Sequence, residues 1–277
     1  MSSSAHLSNS IGVSLVLVDV QNDFLPEGSL AVPSSSKIIP PILSLLSKKK
    51  YWASIVVTQD YHPPDHISFA DNHEGAEAFK AIQVDHPLLG RNGEGEKIEQ
   101  MMWPRHCVQG TKGSEIQQDV WAMLANVRQQ GEDVVVVRKG DDPKVDGYSG
   151  LSDNAYSRFT PFIRYISANH STAGVQRPST DIAVVAGLAT DYCVVSTALD
   201  LLKYSIAVYM PLNCIAGVSE ETTASAITKL RSAGAHIFDT HEEVMVAVHA
   251  EVERRRGQEG NWMSSFTKRQ NVIWKAS

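Results

Sequence analysis

Six short runs of aliphatic and β-branched residues recur along this chain, each set off from the next by a longer polar-apolar stretch. They are VSLVLVDV (13–20), SIVVTQD (54–60), DVVVVRKG (133–140), DIAVVAG (181–187), IAVYMPL (206–212) and HIFDT (236–240). A strand with one wet face alternates apolar and polar residues, whereas these runs are nearly continuous, as strands covered on both faces are. Between them the apolar spacing turns helical at 38–50, 114–130, 191–204, 219–233 and 242–256. Ser114 with Gln117 has the spacing of a capping box, and Gly131 and Gly234 stand where helix ends favour glycine. The expectation is an α/β fold: a doubly wound, mainly parallel six-stranded sheet with helices on both faces.

Two stretches leave this rhythm. Residues 61–113 are rich in glycine and proline without clear periodicity, and 71–113 reads as a long loop or lid inserted into the domain. Residues 147–176 are aromatic and polar, with a helix expected near 154–169 and a soft linker at STAGVQRPST. One domain over 11–256 accommodates everything between a disordered, serine-rich tail (1–10) and a polar C-terminal extension (257–277) that frays or wraps the surface.

Bulk chemistry narrows the partners. The net charge of −6 gives no general attraction to nucleic acid or to an anionic membrane, and no run of about 18 apolar residues is present. The first residues lack the basic-then-apolar order of a secretory signal. Cys107, Cys193 and Cys214 are odd in number and have no CxxC spacing, which argues against a disulfide framework and for a reducing, intracellular and cytoplasmic setting. The terminal KAS is a poor peroxisomal address, and a nuclear or peroxisomal location stays open.

In open parallel sheets ligands bind beyond the carboxyl ends of the strands. Those ends carry Asp19 after the first run, Asp60 after the second, Lys139 at the third and Cys193 just past the fourth. Cys193 falls in the first turn of a helix capped by Ala189 or Thr190, where the helix end and Lys139 are expected to favour thiolate. Cys214 reads as an inert core thiol. Asp19 can serve as proton acceptor and then donor, with Lys139 balancing its charge, and the turn GLAT can offer backbone N–H groups to an oxyanion. A second constellation is Asp60, His62 and His106, a donor set suited to a divalent ion: zinc first, iron or manganese as alternatives. His66 and Cys107 are further candidates, read as supporting or packing residues rather than ligands.

The segments VDVQNDF (18–24), TQDYHPPDHISFA (58–70), WPRHCVQGT (103–111), VRKG (137–140), YSG (148–150) and GLATDYCV (187–194) occur in the order found in one known family. By them the chain resembles the nicotinamidases of the isochorismatase-like cysteine hydrolases. The resemblance implies that Cys193 is the nucleophile, Asp19 the general base and acid, and Lys139 the third member of a triad. It implies an oxyanion hole at Ala189 and Cys193, with a cis peptide between Leu188 and Ala189. It also implies a divalent metal on Asp60, His62 and His106, and an aromatic pocket of Phe24, Trp103, Tyr148 and Tyr192. Nicotinamide would be the small-molecule substrate, with no nucleic acid or membrane partner and a homo-oligomer left open. YSGL places Leu151 where many relatives carry phenylalanine, and YSRF (156–159) is a second match for that motif. The alternatives are another amidase or isochorismatase-type hydrolase of the superfamily, or a non-catalytic nicotinamide- or metal-binding protein.

Overall fold

The structure, a computed structural model, describes residues 11–88, 95–167, 170–172 and 175–273. In chain order its elements are β1 (Val13–Val18), α1 (Ile39–Ser47), β2 (Ser54–Asp60), β3 (Ala81–Asp85), β4 (Lys97–Met101), α2 (Gln118–Gln129), β5 (Val134–Lys139), α3 (Ile163–Ser167), β6 (His170–Thr172), β7 (Val175–Arg177), β8 (Ile182–Leu188), α4 (Val195–Lys203), β9 (Ala207–Pro211), β10 (Ile215–Ala216), α5 (Glu220–Ser232), β11 (His236–Phe238) and α6 (His241–Ile273). The main sheet has the order β11-β9-β8-β1-β2-β5, all pairs parallel, and the two-residue β10 extends it beside β8. All six expected strands are in it.

Strand residues alternate between two cores. Leu15, Leu17, Ile55, Val57, Val184 and Ala186 face α1, α2 and α6; Val16, Val18, Val56, Val137, Ala183 and Val185 face α4, α5 and α3. Each such side chain withdrawn fully from water contributes about 1.5–3 kcal/mol before chain entropy is counted. This two-sided burial is why the runs carry almost no polar residues. From β1 the chain builds outward through β2 and β5, then returns to the other side of β1 as β8 and builds through β9 and β11. The order therefore reverses between β1 and β8, and a crevice opens beyond their carboxyl ends.

Gly187 makes this central pair possible. Its φ is +126°, and it lies opposite Val18, where an added Cβ would come within 2.0 Å of the Val18 carbonyl oxygen. Neither β1 nor β8 can move away without opening both cores. Gly187→Ala is therefore expected to cost roughly 3 kcal/mol or more and to lower Tm by about 6 °C or more. A calorimetric melt matching wild type would show that the strands do not approach so closely.

Several expectations are corrected. The segment 61–113 contains the antiparallel hairpin β3–β4 rather than loop alone. The helix expected at 154–169 is reduced to α3, because the Asp153 carboxylate gathers the N–H groups of Ala155, Ser157 and Arg158 into a turn, with Tyr156 at φ +52°. The linker at 171–180 carries the short β6–β7 pairing. The Ser114–Gln117 capping box does not form. Glu115 and Ile116 pair with Asn22 and Gln21 instead, and the Gln117 side chain accepts the Val120 N–H at the start of α2. Past residue 256, α6 runs on through Gly257 and Gly260 to Ile273, since each glycine costs a helix only about 1 kcal/mol. Gly131 and Gly234 do end helices, at φ +86° and +98°. The N-terminal tail at 1–10 lies outside the described residues. Among those described, no helix is long and apolar enough to cross a membrane.

Candidate active site

The four strand-end residues come together over the crevice. Asp60 and Lys139 close β2 and β5 as register partners, so both side chains leave the sheet at the same level. Asp19 follows β1 with φ +48°, a backbone state uncommon outside glycine. It is held there by Thr58, which donates to Asp19 Oδ1 at 2.6 Å and accepts the Asp19 N–H at 3.2 Å. Lys139 Nζ is the hub: 2.9 Å from Asp19 Oδ2, 2.5 Å from Asp60 Oδ1, 2.9 Å from the Gly147 carbonyl and 3.2 Å from Cys193 Sγ. All four side chains are buried. Among the described residues no hydrogen-bond donor is aligned on Asp19 Oδ2, which has the Lys139 ammonium beside it at 2.9 Å. Asp19, Asp60 and Cys193 offer atoms that all lie within 4.8 Å of one another.

The electrostatics follow from this crowding. Burial penalises both carboxylates. For Asp60, the Lys139 ammonium and His62 outweigh that penalty and hold the acid well below the usual range. For Asp19, burial wins over Lys139 and, with the Asp60 charge, pushes it up to about 6. Lys139 is held firmly protonated, its burial outweighed by the two carboxylates. Burial together with Asp19 and Asp60 pushes the Cys193 thiol well up despite Lys139. The expected resting thiolate is thus corrected to a thiol beside an ionised base. The helix entry differs too: Thr190–Val194 is one π-turn capped by Ala189, and the regular helix begins only at Val195. Such wide turns are frequent at functional positions. The Leu188–Ala189 peptide is cis.

Asp60, His62 and His106 present donor atoms within 4.8 Å of each other, all buried. Their chemistry suits a divalent cation. His62 Nδ1 is bonded to the Gly140 carbonyl at 2.7 Å and His106 Nδ1 to the Pro104 carbonyl at 2.8 Å, so each ring turns an Nε2 lone pair inward. Gly140 is needed for this: at φ +61°, its missing Cβ would lie 2.4 Å from His62 Cε1. His66 stacks on His62 at 4.1 Å, with Nδ1 on Ser68 Oγ and a buried Nε2 that has no hydrogen-bond partner among the described residues. Cys107 is fully buried, its N–H donated to Asp23 and its carbonyl taken by the His62 N–H. Cys214 is in the core, as expected.

Beside these groups lies a small pocket. Phe24, Trp103, Tyr148 and Tyr192 line it together with Asp60, His62, His106, Ala189 and Cys193. Trp103 packs edge-on to Tyr192 at 4.7 Å and donates its indole N–H to Tyr148 Oη at 3.3 Å. YSGL is the segment in the pocket; Leu151 is core, and Tyr156 and Phe159 of YSRF are exposed. Four lining residues escaped the sequence reading: Leu30, Val32, Asp146 and Val218. So did Gln21, whose side-chain amide grips the Asp60 backbone at both N–H and carbonyl, 2.8 Å each.

A parallel sheet with this rim belongs to the isochorismatase-like hydrolases, and the family model described as "Isochorismatase domain" matches residues 172–242. Within that class the chain belongs to the nicotinamidase family. It is 31% identical over 227 residues to the nicotinamidase of Acinetobacter baylyi, covering 79% of this chain and 92% of the relative. The crystal structure of the yeast nicotinamidase bound to the inhibitor nicotinaldehyde superposes with a TM-score of 0.71 at 28% identity, over 82% of this chain and 100% of that one. The Pyrococcus horikoshii pyrazinamidase in complex with zinc gives 0.56 at 30% identity, over 82% and 98%.

Proposed function

We propose that the chain hydrolyses nicotinamide to nicotinate and ammonia through a cysteine thioester, a step of NAD salvage, with Cys193, Asp19 and Lys139 as the reacting set. The observation that carries this is the single ammonium contacting both the sulfur, at 3.2 Å, and the carboxylate, at 2.9 Å. Asp19 takes the thiol proton as sulfur bonds to the amide carbon, and the negative charge moves to the carbonyl oxygen. The backbone N–H groups of Ala189 and Cys193 are assigned to that oxygen. Collapse breaks the C–N bond, and Asp19 returns the proton to the leaving nitrogen. Water, giving its proton to Asp19, then adds to the thioester. Nicotinate leaves, and the proton goes back to sulfur. Lys139 stays charged throughout and keeps Asp19 ionised and aimed. Phe24, Trp103, Tyr148 and Tyr192 hold the ring.

Asp60, His62 and His106 are the residues we assign to a divalent ion, zinc by preference. The zinc complex of the Pyrococcus pyrazinamidase supports that choice. When bound, such an ion supplies a Lewis-acidic partner for a pyridine nitrogen. His66, stacked behind His62, fixes that ring. The three cysteines are free thiols, in keeping with a reducing cytoplasm.

The test is ammonia and nicotinate release from nicotinamide, with benzamide, which lacks the ring nitrogen, as comparison. Absence of nicotinate with the metal-loaded protein would reject the reading. For His106→Ala, metal content is expected to fall below one per chain and KM to rise by more than about tenfold. Atomic absorption and steady-state kinetics check both, and unchanged stoichiometry would remove His106 from the ligand set.

A further inference from the structure

The hairpin β3–β4 has an outer face of Ala81, Gln83, Asp85, Lys97 and Glu99, all exposed. Its inner face is Ile82, Val84, Ile98 and Gln100, paired Ile82 with Gln100 and Val84 with Ile98. Three of those four are aliphatic, and strand patterning puts an apolar residue at the fourth as well. Glutamine stands there instead and is buried to 2% exposure. Its Nε2 donates to the Met101 carbonyl at 2.9 Å and to Asp146 Oδ2 at 3.0 Å. Both neighbours are acceptors, so the amide nitrogen is the end that faces them. Asp146 is itself only 3% exposed and lines the substrate pocket. Among the described residues no cationic side chain forms an ion pair with it. Its other oxygen accepts the Gly147 N–H at 2.8 Å, and the Gly147 carbonyl holds Lys139 Nζ at 2.9 Å.

We infer that Gln100 is a positioning residue for the reaction: through the buried Gln100–Asp146–Gly147 chain, the hairpin sets where the Lys139 ammonium sits between Asp19 and Cys193. The inference rests on the amide-hydrolysis reading above. A buried carboxylate held by two hydrogen-bond donors needs both of them, and losing one leaves that oxygen to seek another. The nearest consequence is a shift of Gly147, one residue away, and with it of the carbonyl that caps Lys139.

Gln100→Leu separates this from a structural role, because leucine completes the apolar face of the hairpin. The expected result is a kcat lowered by roughly ten- to a hundredfold with KM within about threefold of wild type, whatever fall in Tm the lost donor to the buried carboxylate brings. Gln100→Glu, which sets two carboxylates together, is expected to lower kcat further. Val84→Ala, on the same face, is expected to lower Tm while leaving kcat unchanged. A Gln100→Leu kcat within about twofold of wild type, or an equal kcat loss in Val84→Ala, would overturn the inference. Should Gln100→Leu fail to fold, Asp146→Asn leaves one acceptor oxygen for the Gln100 amide and the Gly147 N–H, which now have one each, and so breaks the Gln100–Asp146–Gly147 chain at one link or the other; lowered kcat at wild-type KM supports the inference, and wild-type kcat overturns it. The rate of Cys193 alkylation by iodoacetamide at fixed pH, read by mass spectrometry, needs no substrate. It is expected to slow in Gln100→Leu and would overturn the inference if unchanged. A wild-type protein inert toward nicotinamide would instead reject the function itself, leaving this readout intact.

Discussion

Cys193→Ala is expected to reduce ammonia release from nicotinamide by at least roughly 10⁴-fold in kcat, the scale seen when a covalent nucleophile is removed. The reason is positional. Among the described residues the other two thiols cannot substitute: Cys107 and Cys214 are both fully buried, and neither lines the pocket that Cys193 lines. Alanine occupies less volume than the thiol and introduces no polar atom, and the Asp19–Lys139 and Asp60–Lys139 pairs keep their partners. Metal content and Tm should therefore stay close to wild type. Steady-state ammonia assays with matched metal analysis check the split, and turnover above about 1% of wild type would remove Cys193 from the nucleophile's place.

What the sequence makes legible here is whatever is set by strand ends. Asp60 and Lys139 end two neighbouring strands in register, so their meeting follows once the strands are placed. Cys193 follows from the reversal of strand order between β1 and β8. The electrostatic balance was not legible in the same way. Reading Cys193 beside one lysine and a helix end suggests thiolate, but the outcome depends on two carboxylates and burial acting on the same sulfur. Nor are residues that act by reaching across the fold. Gln21 clamps Asp60 from 39 positions away, and Gln100 meets Asp146 across 46. The same glutamine hid the hairpin, because a polar residue on its inner face broke the alternation that would have marked β4 as a strand.

Asp19→Asn is expected to lower kcat by roughly 10³-fold or more while metal content stays at wild type. The substitution conserves shape and can keep the Thr58 hydroxyl bond to Oδ1. What it removes is the one group placed to carry a proton from sulfur to nitrogen. It also removes one of two negative charges beside Lys139, leaving Asp60 to hold the ammonium alone at 2.5 Å. Lys139 then draws toward Asp60, and the sulfur loses its base. The pH dependence gives an independent check. With Asp19 raised to about 6 by burial, the wild-type rate should climb as pH rises through that value, because the ionised form is the proton acceptor. In Asp19→Asn there is no such group to ionise, so the residual rate should lose that limb. A variant that keeps both its rate and the rise near pH 6 would place the base elsewhere, and the ammonium would then have to be explained as the partner of Asp60 alone.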